Sequence, residues 1–148
     1  MKFPGGFEGG GKMHASYYFV IATALAVLPI AFIFKISLER LIEDPSSIEK
    51  TQTKFFLWIA IVESLPILFV IFGFINAEPV QTMNELMMPG IIVLMLAAFG
   101  VIFILLQRLS RIPEEIKGTV NTFVAIGIAL INSIPIISIV ALLTMMPA

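Results

Sequence analysis

Residues 55–67 read Phe55-Phe56-Leu57-Trp58-Ile59-Ala60-Ile61-Val62-Glu63-Ser64-Leu65-Pro66-Ile67, an apolar run that a single carboxylate interrupts. Glu63 is the only side chain with a formal charge in any of the four long apolar stretches of the chain. A carboxylate at the depth of the bilayer core is costly, and residues of this kind mark ion pathways and proton relays. Glu63 is therefore the first candidate for a functional residue.

The composition around this run is that of a membrane protein. Apolar residues make up 59% of the chain and charged residues 13%, and the mean hydropathy is +1.03, all far from the averages of soluble domains. Four segments are long enough for the roughly 20 apolar residues of a spanning helix. They are residues 15–34, 55–75, 87–106 and 119–145. The sequence thus predicts an all-α membrane protein with four transmembrane helices.

Composition also excludes several kinds of site. The chain has no cysteine and a single histidine, His14, which argues against thiolate and histidine metal centres. A net charge of −1 gives no reason to expect a nucleic-acid partner. No nucleophile, base and orienting group occur together, so we do not expect an enzyme.

The basic residues predict the orientation in the membrane. The linker at residues 77–86 and the C-terminal end contain no Lys or Arg, and the N-terminal tail contains only Lys2 and Lys12. Seven basic residues flank the two loops inside the predicted hairpins, namely Lys35, Arg40, Lys50, Lys54, Arg108, Arg111 and Lys117. By the positive-inside rule both hairpin loops are cytoplasmic and both termini are outside. The first apolar run is longer than the core of a signal peptide, so we expect a retained helix.

The chain contains an internal repeat. Residues 40–45 recur 68 positions later as residues 108–113, and residues 61–66 recur 69 positions later as residues 130–135. Both copies run in the same direction, so the chain is predicted to be two tandem helical hairpins. We divide it into a flexible Gly-rich extracytoplasmic tail (1–14), a first hairpin (15–76), an extracytoplasmic linker (77–86) and a second hairpin (87–148). Asn132 stands where the first copy has Glu63, so each chain has one titratable site for two hairpins.

These residues resemble a known family. A hairpin with a basic cytoplasmic loop and an intramembrane Val-Glu-x-Leu-Pro-Ile motif, placed 18 residues after a loop proline, resembles the proteolipid subunit c of F-type ATP synthases. Pro45 and residues 62–67 carry this match. The fusion of two such hairpins with loss of one carboxylate is similar to the duplicated proteolipid, subunit K or c, of V-type ATPases. The resemblance covers residues 15–148.

The resemblance implies a homo-oligomeric ring that turns against a static membrane subunit with an essential arginine. Glu63 would be neutral while it faces lipid, would ionise opposite that arginine and would be reprotonated through an aqueous half-channel. Residues around the cytoplasmic loops would meet a central stalk, and no cofactor is implied. These loop residues are Arg40, Pro45, Arg108, Arg111 and Pro113.

The ring would need close contacts between helices, which small residues permit in a bilayer. Family members use glycines in the first helix, and this chain has alanines there instead. The small residues expected at such interfaces are Ala22, Ala24, Ala26 and Ala31 in the first helix and Gly90, Ala97, Ala98 and Gly100 in the third.

The oxygen ligands near Glu63 bear on the choice of ion. Ser64 supplies a hydroxyl, and Pro66, which has no N–H, frees the carbonyl of Val62. The corresponding degenerate site of the second hairpin contains Asn132 and Ser133. The part of the first helix level with Glu63, residues 26–34, has no side-chain oxygen, whereas a hard cation needs several oxygen ligands. The pattern therefore favours a translocated proton over sodium.

Two functions remain open on the sequence. One is an ion-translocating rotor proteolipid, and the other is a proteolipid-derived oligomer with a structural, regulatory or pore-forming role and no rotary work. At the level of single residues, Glu63 can instead be a packing residue bonded to a neighbour such as Ser64. Asn132 is expected to hydrogen-bond between helices, as asparagine commonly does in membranes.

Overall fold

A computed structural model describes residues 14–109 and 112–147 of the chain. Four long helices account for most of these residues: α1 (Ala15–Glu43), α2 (Ile48–Ile75), α3 (Asn84–Gln107) and α4 (Lys117–Thr144). Short 3-10 turns, Pro45–Ser47 and Glu114–Ile116, lead into α2 and α4. Each long helix is apolar and long enough to cross a bilayer. The predicted all-α, four-helix membrane fold is confirmed, and the chain is a multi-pass integral membrane protein.

The start of α1 is defined by His14. Its Nδ1 accepts a hydrogen bond from the Ser16 backbone N–H at 3.2 Å, which satisfies one of the N–H groups that have no partner within the helix. The remainder of the predicted tail, residues 1–13, lies outside the described residues.

The first hairpin extends beyond its apolar runs at the loop end. α1 continues past Phe34, the last residue of its apolar run, to Glu43, and α2 begins at Ile48, before its apolar run starts at Phe55. These extensions carry the charged residues that a spanning segment excludes. They are Lys35, Glu39, Arg40, Glu43, Glu49, Lys50 and Lys54. The second hairpin differs, because α3 ends at Gln107, directly after its apolar run.

α1 lies at the centre of the bundle. It packs against α2, α3 and α4, and α3 also packs against α4. Three phenylalanines join α1, α2 and α4 at the loop-end half of the bundle: the ring of Phe123 stacks on Phe34 at 5.1 Å and meets Phe55 at 4.6 Å. The chain therefore has a core of its own, built around α1.

Glycines let the side chains of neighbouring helices approach closely. A Cβ atom on Gly73 of α2 would lie 2.7 Å from Cζ of Phe19, and one on Gly127 of α4 would lie 2.8 Å from two ring atoms of Phe34. Both rings come from α1. These two glycines thus allow α2 and α4 to pack directly over the aromatic side chains of the central helix.

Most of the small residues of α1 are used inside the chain, and Ala24 is partly buried. Ala22 and Ala26 have no exposed surface, and Ala31 is almost fully buried. In α3, Gly100 is buried against Ile131 and Val27, whereas a Cβ on Gly90 would meet nothing within 4 Å. The exposed large apolar side chains lie mainly on α2 and α3.

A buried polar cluster joins α1 to α4 at the end of the bundle opposite the 3-10 turns. Thr23 Oγ1 donates to the Phe19 carbonyl at 2.8 Å and lies 3.0 Å from Ser138 Oγ, and both hydroxyl-bearing residues are fully buried. At the same end, the Val80 N–H donates to the Met145 carbonyl at 2.9 Å. This bond ties the linker between the hairpins to the end of α4.

Candidate functional site

Glu63 lies near the middle of α2 and is half-buried. Its neighbours Ile61 and Leu65 are exposed large apolar side chains, while Pro66, on the next turn, is buried. The carboxyl therefore sits at the edge between the surface of α2 and its packed face. From this position it can meet both a neighbouring helix and the surroundings of the bundle.

The partner of Glu63 is a residue of the second hairpin. Ser133 Oγ on α4 lies 3.4 Å from Glu63 Oε1. Within the part of the chain that the structure describes, this is the one side-chain hydrogen bond between α2 and α4. Sequence reasoning placed Ser133 in a separate degenerate site and did not pair it with Glu63. Ser133 is the repeat counterpart of Ser64, the residue that follows Glu63, and this correspondence was the available signal.

The hydroxyl of Ser133 has a second, shorter bond. Its Oγ donates to the Leu130 carbonyl at 2.7 Å, and a serine hydroxyl has only one hydrogen to donate. A protonated Glu63 resolves this competition, since its own O–H can donate to Ser133 Oγ while Ser133 keeps its hydrogen on the Leu130 carbonyl. The geometry thus provides a hydrogen-bond acceptor for a neutral carboxyl.

The same local hydrogen bond occurs in both copies of the repeat. Ser64 Oγ donates to the Ile61 carbonyl at 2.7 Å, as Ser133 does to Leu130, and in each helix a proline follows two residues later. Ser64 is exposed and makes no hydrogen bond to Glu63 among the described residues. The sequence predicted that Ser64 would bind the ion together with Glu63. Its hydroxyl is instead directed to its own helix.

The backbone near Glu63 offers one further oxygen. Pro66 lies inside α2 and has no N–H, so the Val62 carbonyl lacks its usual partner one turn later. Val62 and Pro29 of α1 line the same groove. This agrees with the expectation that residues 26–34 of α1 are level with Glu63. α1 contributes no side-chain oxygen there, so the additional side-chain oxygen at the site comes from α4.

Asn132, the counterpart of Glu63 in the second hairpin, bonds within its own helix. Its Nδ2 donates to the Ile128 carbonyl at 2.9 Å, and the side chain is half-buried. The expected bond to another helix is absent among the described residues. The two repeat-related polar groups thus make different contacts, because Asn132 bonds within its own helix and Glu63 lies against Ser133 of α4.

The predicted loop residues lie at the end of the bundle that carries the 3-10 turns. Arg40 is near the end of α1, and Pro45 begins the first 3-10 turn. Arg108 Nη2 donates to Asn121 Oδ1 at 2.9 Å, and Pro113 precedes the second 3-10 turn. Arg111 lies outside the described residues. Among the described residues no hydrogen bond joins these four to Glu63, although Arg40 lines the same groove as Val62.

Neither metal chemistry nor similarity to known proteins defines this site further. No group of three or more His, Asp or Glu residues with metal-binding geometry occurs within residues 14–109 and 112–147. Comparison of the chain with protein-family models, with curated proteins and with solved structures finds no match. Function must therefore be argued from Glu63, Ser133 and the helices that hold them.

Proposed function

We propose that this chain is a proton-translocating proteolipid subunit of a rotor ring in the membrane sector of a rotary ATPase. The observation that carries the proposal is the half-buried carboxyl of Glu63 in the middle of α2, with Ser133 Oγ 3.4 Å away. Only the neutral form of a carboxyl crosses hydrocarbon at modest cost. Ser133 Oγ can accept a hydrogen bond from that form when its own hydrogen lies on the Leu130 carbonyl.

The proposal includes the orientation and the partners. Both hairpin loops are cytoplasmic and both termini outside, because the basic residues cluster at the loop end. Arg40, Pro45, Arg108 and Pro113 meet a central stalk there, with Arg111 of the same loop. A static membrane subunit supplies the arginine opposite which Glu63 ionises. The chain itself performs no catalysis and needs no cofactor.

A proton is the proposed cargo. A sodium ion needs several oxygen ligands, and the side-chain oxygens in hydrogen-bonding position near Glu63 are limited to Ser133 Oγ among the described residues. A proton needs a single basic group with a partner, which Glu63 and Ser133 supply.

The alternative is an oligomeric membrane protein with a structural, regulatory or pore-forming role and no rotary work. The burial of α1 favours it: Ala22 and Ala26, which would line close contacts between chains in a ring, are covered within this chain. The two functions differ in whether Glu63 has to lose its proton.

The mass of the native assembly tests the rotor ring. We expect the protein, solubilised in mild detergent with any subunits that co-purify, to give a single closed stoichiometry of identical chains. A monomer under these conditions would exclude a ring. A closed oligomer without further subunits would support the alternative.

Proton flux tests the role of Glu63. In vesicles reconstituted with the co-purified complex, Glu63→Gln should abolish proton movement and leave the oligomer intact, since glutamine is nearly isosteric with protonated glutamate but cannot release a proton. Glu49→Gln makes the same change at an exposed position of α2 and should retain flux. Asn132→Ala should also transport protons. Flux that survives Glu63→Gln would rule out Glu63 as the carrier.

A further inference from the structure

A groove runs between α1 and α2 at the loop end of the first hairpin. Its inner part has a volume of about 420 Å³, within the range of small-molecule sites, and is mostly apolar. Its lining residues include Pro29, Ile33, Trp58 and Val62. Phe32 and Trp58 are 63% and 54% exposed, so the groove opens sideways toward the surroundings of the bundle.

The mouth of the groove is polar. A second cavity of about 230 Å³ continues it toward the end of the hairpin and shares Arg40, Thr51 and Lys54 with the inner part. Its other lining residues are Glu43, Asp44, Ser47 and Lys50. The groove therefore changes from apolar to charged along its length.

This change occurs where the membrane boundary is expected. The apolar run of α1 ends at Phe34 and that of α2 begins at Phe55, and the groove has Ile33 on one side of this level and Arg40 and Lys54 on the other. Trp58 adds an aromatic side chain of the type enriched at membrane–water interfaces. A groove that crosses this boundary matches the shape of a lipid, with an acyl chain on one side and a head group on the other.

The charges at the mouth favour a particular head group. Three basic residues, Arg40, Lys50 and Lys54, face two acidic ones, Glu43 and Asp44, which leaves an excess of one positive charge. Asp44 already accepts hydrogen bonds from Ser46. Within the described residues no ion pair neutralises the three basic side chains. The inner part of the groove is lined by Arg40 and Lys54 and by no carboxylate.

We propose that this groove binds one anionic glycerophospholipid with a hydroxylated head group, of the phosphatidylglycerol type. Arg40 and Lys54 hold the phosphate, an acyl chain lies along Ile33 and Val62, and Glu43 accepts hydrogen bonds from the head-group hydroxyls. The single negative charge of the lipid balances the excess positive charge of the mouth. The proposal does not depend on proton transport by Glu63.

The only tryptophan of the chain reports on this site, because Trp58 lines the groove. The full-length protein is reconstituted in phosphatidylcholine bilayers that contain a small fraction of either brominated phosphatidylglycerol or brominated phosphatidylcholine, and quenching of Trp58 fluorescence is measured. We expect the anionic lipid to quench much more strongly at equal mole fraction. Equal quenching by the two lipids, or none by either because another copy of the chain covers the groove, would overturn the proposal.

Charge variants locate the binding site. A basic residue near a membrane surface contributes roughly 1 kcal/mol to binding of an anionic lipid, or about fivefold in affinity. Arg40→Gln combined with Lys54→Gln should therefore lower the preference for phosphatidylglycerol by more than about tenfold. Lys35→Gln removes the same charge from α1 at an exposed position outside the groove and should keep the preference. If both variants lose it equally, the effect is general surface charge and the site is excluded.

Native mass measurement of the delipidated protein provides a second test that needs no variant. Added phosphatidylglycerol should remain bound with one lipid per chain at concentrations where phosphatidylcholine does not. Retention of both lipids to the same extent, or a variable number of bound lipids, would contradict a specific site.

Discussion

Ser133 Oγ on α4 lies 3.4 Å from Glu63 Oε1 on α2, although the two residues belong to different halves of the internal repeat. Ser133 corresponds to Ser64, the residue that directly follows Glu63 in the first hairpin. The carboxyl of Glu63 therefore contacts the repeat counterpart of the residue that follows it in sequence. The carboxyl and its hydrogen-bond partner therefore come from different hairpins of the same chain.

Glu63 should react with dicyclohexylcarbodiimide, a hydrophobic reagent that attacks protonated carboxyl groups. Labelling is expected at acidic pH and should decline as pH rises, because the ionised form does not react. Peptide mass spectrometry identifies the modified residue. Glu63→Gln should remove the label and Glu49→Gln should not, and a chain that stays unlabelled at acidic pH would contradict a buried protonated carboxyl.

Sodium should have little effect on this labelling. A bound cation would hold Glu63 ionised and protect it from the reagent, whereas a proton site is indifferent to sodium. The measurement is the labelled fraction with and without millimolar sodium at neutral pH, with potassium at the same ionic strength as the control. Strong protection by sodium alone would replace the proton with sodium as the proposed cargo.

Ser133→Ala should reduce proton flux by about threefold without abolishing it. The substitution removes one hydrogen-bond partner of Glu63, and hydrogen bonds between membrane helices average about 0.6 kcal/mol. Ser64→Ala is the matched control, because Ser64 makes the same bond to its own helix but none to Glu63 among the described residues. The rates are compared in vesicles with equal protein content. If both variants lose proton flux equally, the loss comes from the bond between serine and its own helix backbone and not from the contact with Glu63.

Gly127→Ala should destabilise the protein, whereas Gly90→Ala should not. The added methyl group at position 127 would lie 2.8 Å from two ring atoms of Phe34, and overpacking of this kind costs about 1–3 kcal/mol. At position 90 the methyl group meets nothing within 4 Å. Thermal unfolding in detergent measures the difference. Comparable stability of the two variants would contradict the packing of α4 over the Phe34 ring.

The Thr23–Ser138 contact should make a small, measurable contribution to stability. Hydrogen bonds between membrane helices average about 0.6 kcal/mol in double-mutant cycles. A cycle of Thr23→Val and Ser138→Ala should give a coupling of no more than that size, because the two hydroxyls also share the Phe19 carbonyl as an acceptor, at 2.8 Å from Thr23 Oγ1 and 3.3 Å from Ser138 Oγ. A coupling near zero would show that the two hydroxyls do not interact.

The number and approximate position of the spanning helices follow from local sequence. A segment of about 20 apolar residues can satisfy its backbone in lipid only as a helix, so hydropathy predicts it without knowledge of its neighbours. The helical extensions of the first hairpin, up to Glu43 in α1 and from Ile48 in α2, were not predicted. These extensions carry charges, and hydropathy does not report on helices outside the apolar runs.

The amino-acid sequence alone is sufficient to predict the membrane class, the four helices and Glu63 as the one charged side chain in their long apolar runs. The packing of the helices was needed to show that α1 is central, that Ala22, Ala26 and Ala31 are covered within the chain and that Glu63 meets Ser133. Lipid tails are as apolar as a protein core, so residues that face lipid and residues that face another helix look alike in sequence. A hydrogen bond between residues 70 positions apart depends on how the two hairpins rotate and pack against each other, and no local pattern specifies that rotation.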